Sequence, residues 1–400
     1  MKSNDSGTEV NSRLVVFSDD WGRHASSSQH LVRHFLEHHD VRWINTIGMR
    51  TPSLDAYALK RAFGKMTEWT GLSSVAKHNQ PTTVPSDEPQ AVSATLAPSI
   101  CKPLMWPSFR TGWARRLNAK LLTRTVEQAC VGSTHAVGLT TLPITADIVR
   151  ADARRWVYYC VDDFSTWPGL DQNTLLHMER DLVEAADEII VVSETLGKRI
   201  AAMGRDSTLL THGVDLEHWK VESGKASIKL AGEPRVLFWG VLDQRLDMAW
   251  VRALSEALAG TEPSARITFV GPQNNPAAEL FSLRNVDVVD ALQFSELPAL
   301  AAEADVLIMP YADLPVTRAM QPLKLKEYLA TGKPVVIRAL PATHDWADCC
   351  DAVTEQDKFV EMVLTRTREP LDATQSLQRQ RLQSESWKEK AQVLERALFG

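Results

Sequence analysis

At 400 residues the chain is longer than one α/β core ordinarily fills, and common domain sizes divide it into two domains of about 150 to 200 residues. With 44% hydrophobic and 24% charged residues it can offset its chain entropy, which excludes global disorder. A net charge of −6 provides no basic excess for a phosphate backbone, so no nucleic-acid partner is expected.

The first thirteen residues, MKSNDSGTEVNSR, are polar and lack the apolar core of a signal peptide. No apolar run approaches the roughly 20 residues that span a bilayer. A cytoplasmic location is expected, with attachment to the inner face of the membrane left open. LVVF (14–17) reads as a buried strand, followed by the loop DDWGRHASSSQH and an amphipathic helix over Ser26 to His38 with Leu31, Phe35 and His38 at helical spacing. VRWIN (41–45) is the next strand, and residues 71–99, rich in Ser, Thr, Pro and Ala without periodicity, read as a flexible insertion. MWPSFRTGWARRLNAKLLTR (105–124) combines Trp106, Phe109 and Trp113 with Arg110, Arg115, Arg116, Lys120 and Arg124. Aromatic anchors beside cations suit an anionic lipid surface, and a core helix with a solvated basic face explains them as well.

HAVGLT (135–140), WVYYCV (156–161) and EIIVV (188–192) continue the series of buried strands. Continuous apolar strands alternating with helices indicate a parallel sheet covered on both faces. A polar stretch from Val221 to Glu233 reads as an interdomain connection. A second series follows: RVLFWG (235–240), ARITFVG (265–271), VDVV (286–289), ADVLIMP (304–310) and PVVI (334–337). The boundaries are a first domain over 13–220, a second over 234–372 and a charged terminal helix over 373–400, containing Trp387, that packs back on the first domain. Cys101, Cys130, Cys160, Cys349 and Cys350 lack metal-binding spacing and are expected to be reduced thiols.

In doubly wound sheets ligands bind beyond the carboxyl ends of the strands. The most informative segment there is RAMQPLKLKEYLATGKPVVI (318–337): a loop, a helix beginning at Pro322, a stop at Gly332 and a strand. Leu325, Tyr328 and Leu329 share the apolar face, and Lys324 and Glu327 share the opposite one. A helix amino end with free N–H groups suits a diphosphate, and a carboxylate accepts two hydroxyl hydrogen bonds, as holding a ribose requires. Spacing alone equally allows a solvated Lys–Glu pair.

The run PLKLKEYLATGKPVV resembles the donor-site signature of GT-B glycosyltransferases, in particular the glycosyltransferase family 4 group that makes bacterial surface and exopolysaccharides. YYCVDDFSTWPG, EIIVVSETL, THGVDLEHW, FWGVLDQRLD and ITFVGP resemble the same group in the same order. The resemblance implies an α/β GT-B fold, two Rossmann-like doubly wound parallel-sheet domains facing a cleft, with the nucleotide-sugar in the second. It implies that Glu327 binds the nucleotide ribose and that Leu323 and Lys324 lie near the diphosphate. Arg245, after the Gly240 strand end, is the other expected phosphate contact; the directly following position is Val241 rather than an arginine, and a surface salt bridge of Arg245 with Asp243 or Asp247 remains open. Gly271-Pro272 would let backbone approach the nucleotide, or form only a turn. Arg318 is a further candidate for the leaving diphosphate, or a surface charge. Where many relatives carry a second Glu, eight positions before the ribose-binding one, this chain has Ala319, which excludes a mechanism using that carboxylate as nucleophile.

Asp162, at the end of WVYYCV, is the candidate catalytic residue, placed where similar enzymes set a His or Asp near the reacting sugar; a capping aspartate before Ser165 is the alternative. Trp21, Gly22, Arg23, His24 and Ser27 are candidates for a wall against acceptor or donor sugar, although Ser26 or Ser27 also fits a helix cap. No Asp-x-Asp occurs, so no metal site and no cofactor is expected, and the donor is expected to be a UDP-sugar or GDP-sugar. The expected reaction is metal-independent, retaining transfer to a glycan, lipid-linked in the first instance. A nucleotide-sugar 2-epimerase and a noncatalytic nucleotide-sugar-binding subunit are the rival readings.

Overall fold

The computed structural model describes residues 12–22, 26–49, 96–167, 169–220 and 234–400. Two all-parallel sheets organise them. The first contains β1 (Arg13–Ser18), β2 (Asp40–Asn45), β3 (Ser99–Cys101), β4 (Ala136–Thr140), β5 (Trp156–Cys160), β6 (Glu188–Val191) and β7 (Thr208–Leu209), in the order β3-β2-β1-β4-β5-β6-β7. The second contains β8 (Arg235–Trp239), β9 (Arg266–Val270), β10 (Val286–Val289), β11 (Val306–Met309), β12 (Val335–Arg338) and β13 (Asp351–Val353), in the order β10-β9-β8-β11-β12-β13. Both orders reverse direction at the first strand of their domain, between β1 and β4 and between β8 and β11. Each switch point opens a crevice at the carboxyl ends of the strands.

The central strands are buried along their length, as the uninterrupted Val, Ile, Leu and aromatic runs require of a sheet covered by helices on both faces. Two separate apolar cores result, one around Phe17, Trp156 and Tyr158 and one around Phe238, Phe269 and Tyr328. The chain crosses between them twice. Val214 and Trp219 already belong to the second core, while Trp387, Leu394 and Leu398 of the terminal helix Trp387–Phe399 belong to the first. The two crossings run side by side, with Val214 N donating to Glu385 O at 2.8 Å.

Several sequence expectations need correction. The insertion assigned to 71–99 ends earlier, because Ser99 begins β3, an edge strand paired with β2; residues 71–95 lie outside the described residues, as does the connection 221–233. The helix expected over Ser26 to His38 spans only Ser27–Arg33, and His38 belongs to the turns that follow it. Pro322 is not the first helical residue: with ψ of 107° it is extended and caps the helix Leu323–Ala330 from outside. The terminal segment is not one helix but Ala373–Gln378, a tighter turn over Arg379–Ser384, and Trp387–Phe399. Strands β3, β7 and β13 are two or three residues long, too short for an apolar pattern to announce them.

Candidate functional site

Leu325, Tyr328 and Leu329 bury the helix Leu323–Ala330 against the second core. The decisive contact is polar: Trp239 N donates to the Tyr328 hydroxyl and that hydroxyl donates to Trp239 O, both at 2.8 Å. The pair clamps the helix to the carboxyl end of β8. Glu327, the preceding residue, is thereby brought under the Trp239 indole, whose Nε1 donates to Oε2 at 3.2 Å, while Lys324 Nζ lies 3.1 Å from the same oxygen. Glu327 is only 3% exposed, so the solvated Lys–Glu pair that spacing alone also allowed is not the arrangement formed. It and Lys324 do form an i,i+3 ion pair, but one sunk at a strand end, where a solvated pair's few tenths of a kcal/mol is not the relevant scale.

The amino end of this helix carries no side-chain cap, so its first N–H groups keep the donor capacity that suits an anion. It also faces the other domain. Leu323 packs against the first core, Ala319 is buried in it, and Ser193 Oγ donates to Ala319 O at 2.7 Å. The position that holds Ala319 is therefore an apolar interdomain contact. Arg318, on the short helix Pro315–Ala319, is exposed and held in a fork by Asp313 at 2.5 and 2.7 Å, so the structure gives it the surface-charge arrangement.

Arg245 is not at the surface. Its side chain is 12% exposed and forks onto Asp243, with Nε 3.0 Å from both carboxylate oxygens. Its guanidinium lies 4.9 Å from the ring centroid of Trp167 in the first domain, and among the described residues Nη1 meets Met320 Sδ at 3.7 Å. That leaves forked donor capacity directed between the domains. Gly240 and Gly271 close the strand ends behind it. A Cβ on Gly271 would stand 1.9 Å from Gly240 O, and its φ of +148° favours glycine, so this residue is required by the packing of the β9 end on the β8 end. Pro272 O accepts from Leu242 N at 2.9 Å in the same crossing.

On the opposite side, adjacent aspartates after β5 divide their work. Asp163 caps the turn Phe164–Thr166, accepting from Ser165 N at 3.1 Å and Ser165 Oγ at 2.5 Å, and pairs with Arg199 at 3.2 Å. Arg199 also binds buried Glu179, which accepts from the Tyr158 hydroxyl at 3.0 Å. Asp162 is no cap. Burial raises its carboxyl to about 7, Arg245 opposes that shift, and Asp163 adds to it. A group titrating there can hold or release a proton at neutral pH.

The described residues flanking the first strand's loop are tied together by polar contacts. Asp19 accepts from Ser18 at 2.8 Å, Ser26 at 3.0 Å and Gln29 at 2.9 Å, and Gly22 N donates to Gln29 Oε1 at 3.0 Å. Ser26 is the helix cap, and Ser27 is buried beneath the first turn rather than presented as a wall. Trp21 lies edge-on to Trp43 at 4.7 Å; Arg23 and His24 lie outside the described residues.

Several residues of the cleft escape sequence reasoning. Trp239 reads simply as a strand residue until its indole is seen on Glu327. His218 stacks on Phe294 at 4.0 Å near Glu327. His30 stacks on Trp387 at 4.7 Å with Nε2 buried and unpartnered, its basicity lowered to about 3 by burial and by Arg33 and Lys324. Lys326, between the two expected ligands, is buried where the chain crosses between domains: it pairs with Glu385 and donates to His212 O. No linear signal distinguishes it from Lys324. Among the described residues no cluster of three or more His, Cys, Asp or Glu has the convergence of a metal site, and none of the five cysteines is bridged.

Residues 233–364 match the family described as Glycosyl transferases group 1. Over 176 residues the chain is 33% identical to the putative teichuronic acid biosynthesis glycosyltransferase TuaH of Bacillus subtilis (strain 168); the match covers 41% of this chain and spans 43% of that relative's length. Among solved structures, Anabaena HepE in complex with UDP superposes with a TM-score of 0.64 at 14% identity, over 96% of this chain and 99% of that one. Sucrose-phosphate synthase from Thermosynechococcus elongatus superposes with a TM-score of 0.67 at 14% identity, over 97% and 98%. At such identities these likenesses establish the fold, and the fold is GT-B: two Rossmann-like parallel-sheet domains facing a cleft.

Proposed function

We propose that the protein is a glycosyltransferase that moves a sugar from a nucleoside-diphosphate sugar, UDP- or GDP-linked, to a hydroxyl of a lipid-linked glycan in surface-polysaccharide assembly. The observation that carries this reading is Glu327: a carboxylate fixed by Trp239 and Lys324 at the end of β8, on a helix whose uncapped amino end faces the other domain. The group 1 match over the second domain supports the activity, and the description of TuaH and the UDP bound to HepE support the donor and polymer class.

In this reading Glu327 accepts the ribose hydroxyls, and the leaving diphosphate is met by Lys324, Arg245 and the helix N–H groups. Asp162 lies opposite Arg245 and orients the acceptor hydroxyl or steadies the oxocarbenium-like charge that develops at the sugar. On the resemblance, transfer proceeds with retention and without a metal; the departing phosphate taking the acceptor's proton suits a chain in which Ala319 leaves no second carboxylate to act as nucleophile.

The test is a thermal-shift panel of UDP-, GDP-, ADP- and dTDP-sugars on the wild type and Glu327→Ala. One nucleotide should raise the midpoint. Loss of hydrogen bonds to a charged acceptor, roughly 1.5–3 kcal/mol, should weaken its binding in the variant about 10- to 100-fold. Equal shifts in the two proteins would remove the basis of the proposal. A 2-epimer formed from donor alone, or donor binding without transfer to any lipid extract, would replace transfer with isomerisation or with binding.

A further inference from the structure

The described surface is apolar in one place out of proportion to the rest. Leu96, Ile100, Leu104, Trp106, Trp113 and Leu117 are all large, all exposed and all within one segment. Trp106 and Trp113, 43% and 55% exposed, are the only exposed tryptophans among the described residues, and their ring centroids lie 5.1 Å apart. This exposure is built, since the same loop is pinned from below. Met105 and Phe109 enter the core, and buried Asn118 accepts from Trp106 N at 2.6 Å and donates to Trp106 O at 3.0 Å and Ser108 O at 3.1 Å. The loop is therefore held with its alternate apolar residues turned outward, against the hydrophobic effect, which a monomer in water gains nothing from.

Charge marks the same surface. Between residues 96 and 124 there are Lys102, Arg110, Arg115, Arg116, Lys120 and Arg124 and no Asp or Glu, in a chain of net charge −6. Arg115 is taken by Asp147 and Asp181, and Arg110 by Asp171, whereas Lys102, Arg116, Lys120 and Arg124 are exposed and have no ion-pair partner among the described residues. Exposed indoles rimmed by unpaired cations are complementary to the boundary between acyl chains and anionic headgroups. No described helix is long and apolar enough to cross a membrane, so the contact is peripheral.

Topology gives the surface its orientation. Loop 102–111 leaves the carboxyl end of β3, and the helix Gly112–Cys130 returns from that end to the start of β4, so Trp106, Trp113, Arg116 and Leu117 lie at the cleft end of the first domain's edge. We infer that this face docks the protein on an anionic lipid bilayer, with the mouth of the cleft held at the membrane surface. The docking is independent of the donor-site reading, although it would bring a lipid-linked acceptor to that cleft.

The test is co-sedimentation of the full chain with vesicles of phosphatidylcholine alone and of phosphatidylcholine with phosphatidylglycerol. The wild type should bind the anionic vesicles and not the neutral ones, with partition falling as salt rises. Arg116→Gln/Lys120→Gln/Arg124→Gln should lower the partition coefficient about 100-fold, and Trp106→Ser/Trp113→Ser should abolish binding, with the circular-dichroism spectrum and cooperative thermal unfolding of both variants matching the wild type as proof of folding. Absence of wild-type binding, or equal binding by the triple variant, overturns the inference. So does a concentration-dependent dimer that the tryptophan variant dissolves while vesicles bind neither protein, which would make the face an interface between copies. Failure of the donor panel leaves these readouts untouched.

Discussion

Lys326 and Glu385 tie the helix that carries Glu327 to the place where the chain crosses between domains, and their removal should be strongly asymmetric. The Lys326 side chain is 3% exposed, and burial lowers its ammonium to about 8 even with Glu385 beside it. In Glu385→Gln the cation stays buried with neutral close partners, the new amide oxygen, Thr211 Oγ1 at 3.3 Å, the His212 carbonyl and the Trp346 ring at 5.3 Å, and with Asp345 as its remaining opposite charge. A buried charge stripped of its counter-ion costs about 3–5 kcal/mol. In Lys326→Met the remaining carboxylate, 19% exposed, keeps Lys390 at 2.8 Å and the Thr211 hydroxyl at 3.2 Å, so the loss should be about 1–2 kcal/mol.

The pH dependence separates the two further. A lysine whose folded value lies below its unfolded one binds fewer protons folded than unfolded between those values. Stability from this group therefore rises with pH, in the wild type from about 8 toward 10.5, and its charging cost is fully present below that window. Glu385, held low by Lys326 and Lys390, acts in the other sense: its contribution is present at neutral pH and is lost as pH falls through its folded value. In Glu385→Gln the lysine window extends to lower pH, so the deficit against wild type should shrink between pH 7 and pH 10. Urea unfolding followed by tryptophan fluorescence at both pH values measures it. A Lys326→Met cost equal to or above that of Glu385→Gln, or a deficit unchanged at pH 10, would refute the argument.

Asp162→Asn should raise the melting temperature at pH 8 and leave it unchanged below pH 4, because a carboxyl raised to about 7 loses stability for the fold as pH climbs from its unfolded value through that one; the same substitution should remove a rise in transfer rate with an apparent pKa near 7, and a pH-independent wild-type rate would count against a role for this group. Gly271→Ala should destabilise by about 3 kcal/mol or more, since its Cβ would meet Gly240 O at 1.9 Å in a left-handed backbone region, and a melting point within a degree of wild type would show that the strand ends yield freely.

Much of the architecture was legible because buried parallel strands write themselves as apolar runs: β5, β6, β8, β9 and β11 each fall inside a run read from sequence, and the run 14–17 forms the middle of β1. Short strands such as β7 and β13 were not, since two or three residues carry no period. Helix lengths were overread at Ser26 to His38, where a periodic pattern continues through turns. At the site, helical spacing placed Glu327 on the side away from the core, whereas the structure buries it at the end of β8. The correction comes from Tyr328, whose hydroxyl binds both backbone groups of Trp239 and draws its neighbour in with it. The sequence left open whether Asp162 caps the following turn; in the structure that cap is Asp163.

The sequence by itself determined what is local or periodic: two α/β domains, the order of their strands along the chain, and a helix with an acidic residue following a strand switch. Which charges are buried was decided by tertiary structure alone, because burial is a property of what packs opposite. Lys324, Lys326 and Glu327 lie within four residues, yet one rims the cleft, one is sealed between domains by Glu385 and one sits beneath an indole that is distant in sequence. The same holds for the exposed tryptophans of the first domain. Their composition is plain in the sequence, and only the Asn118 clamp shows that they are turned outward.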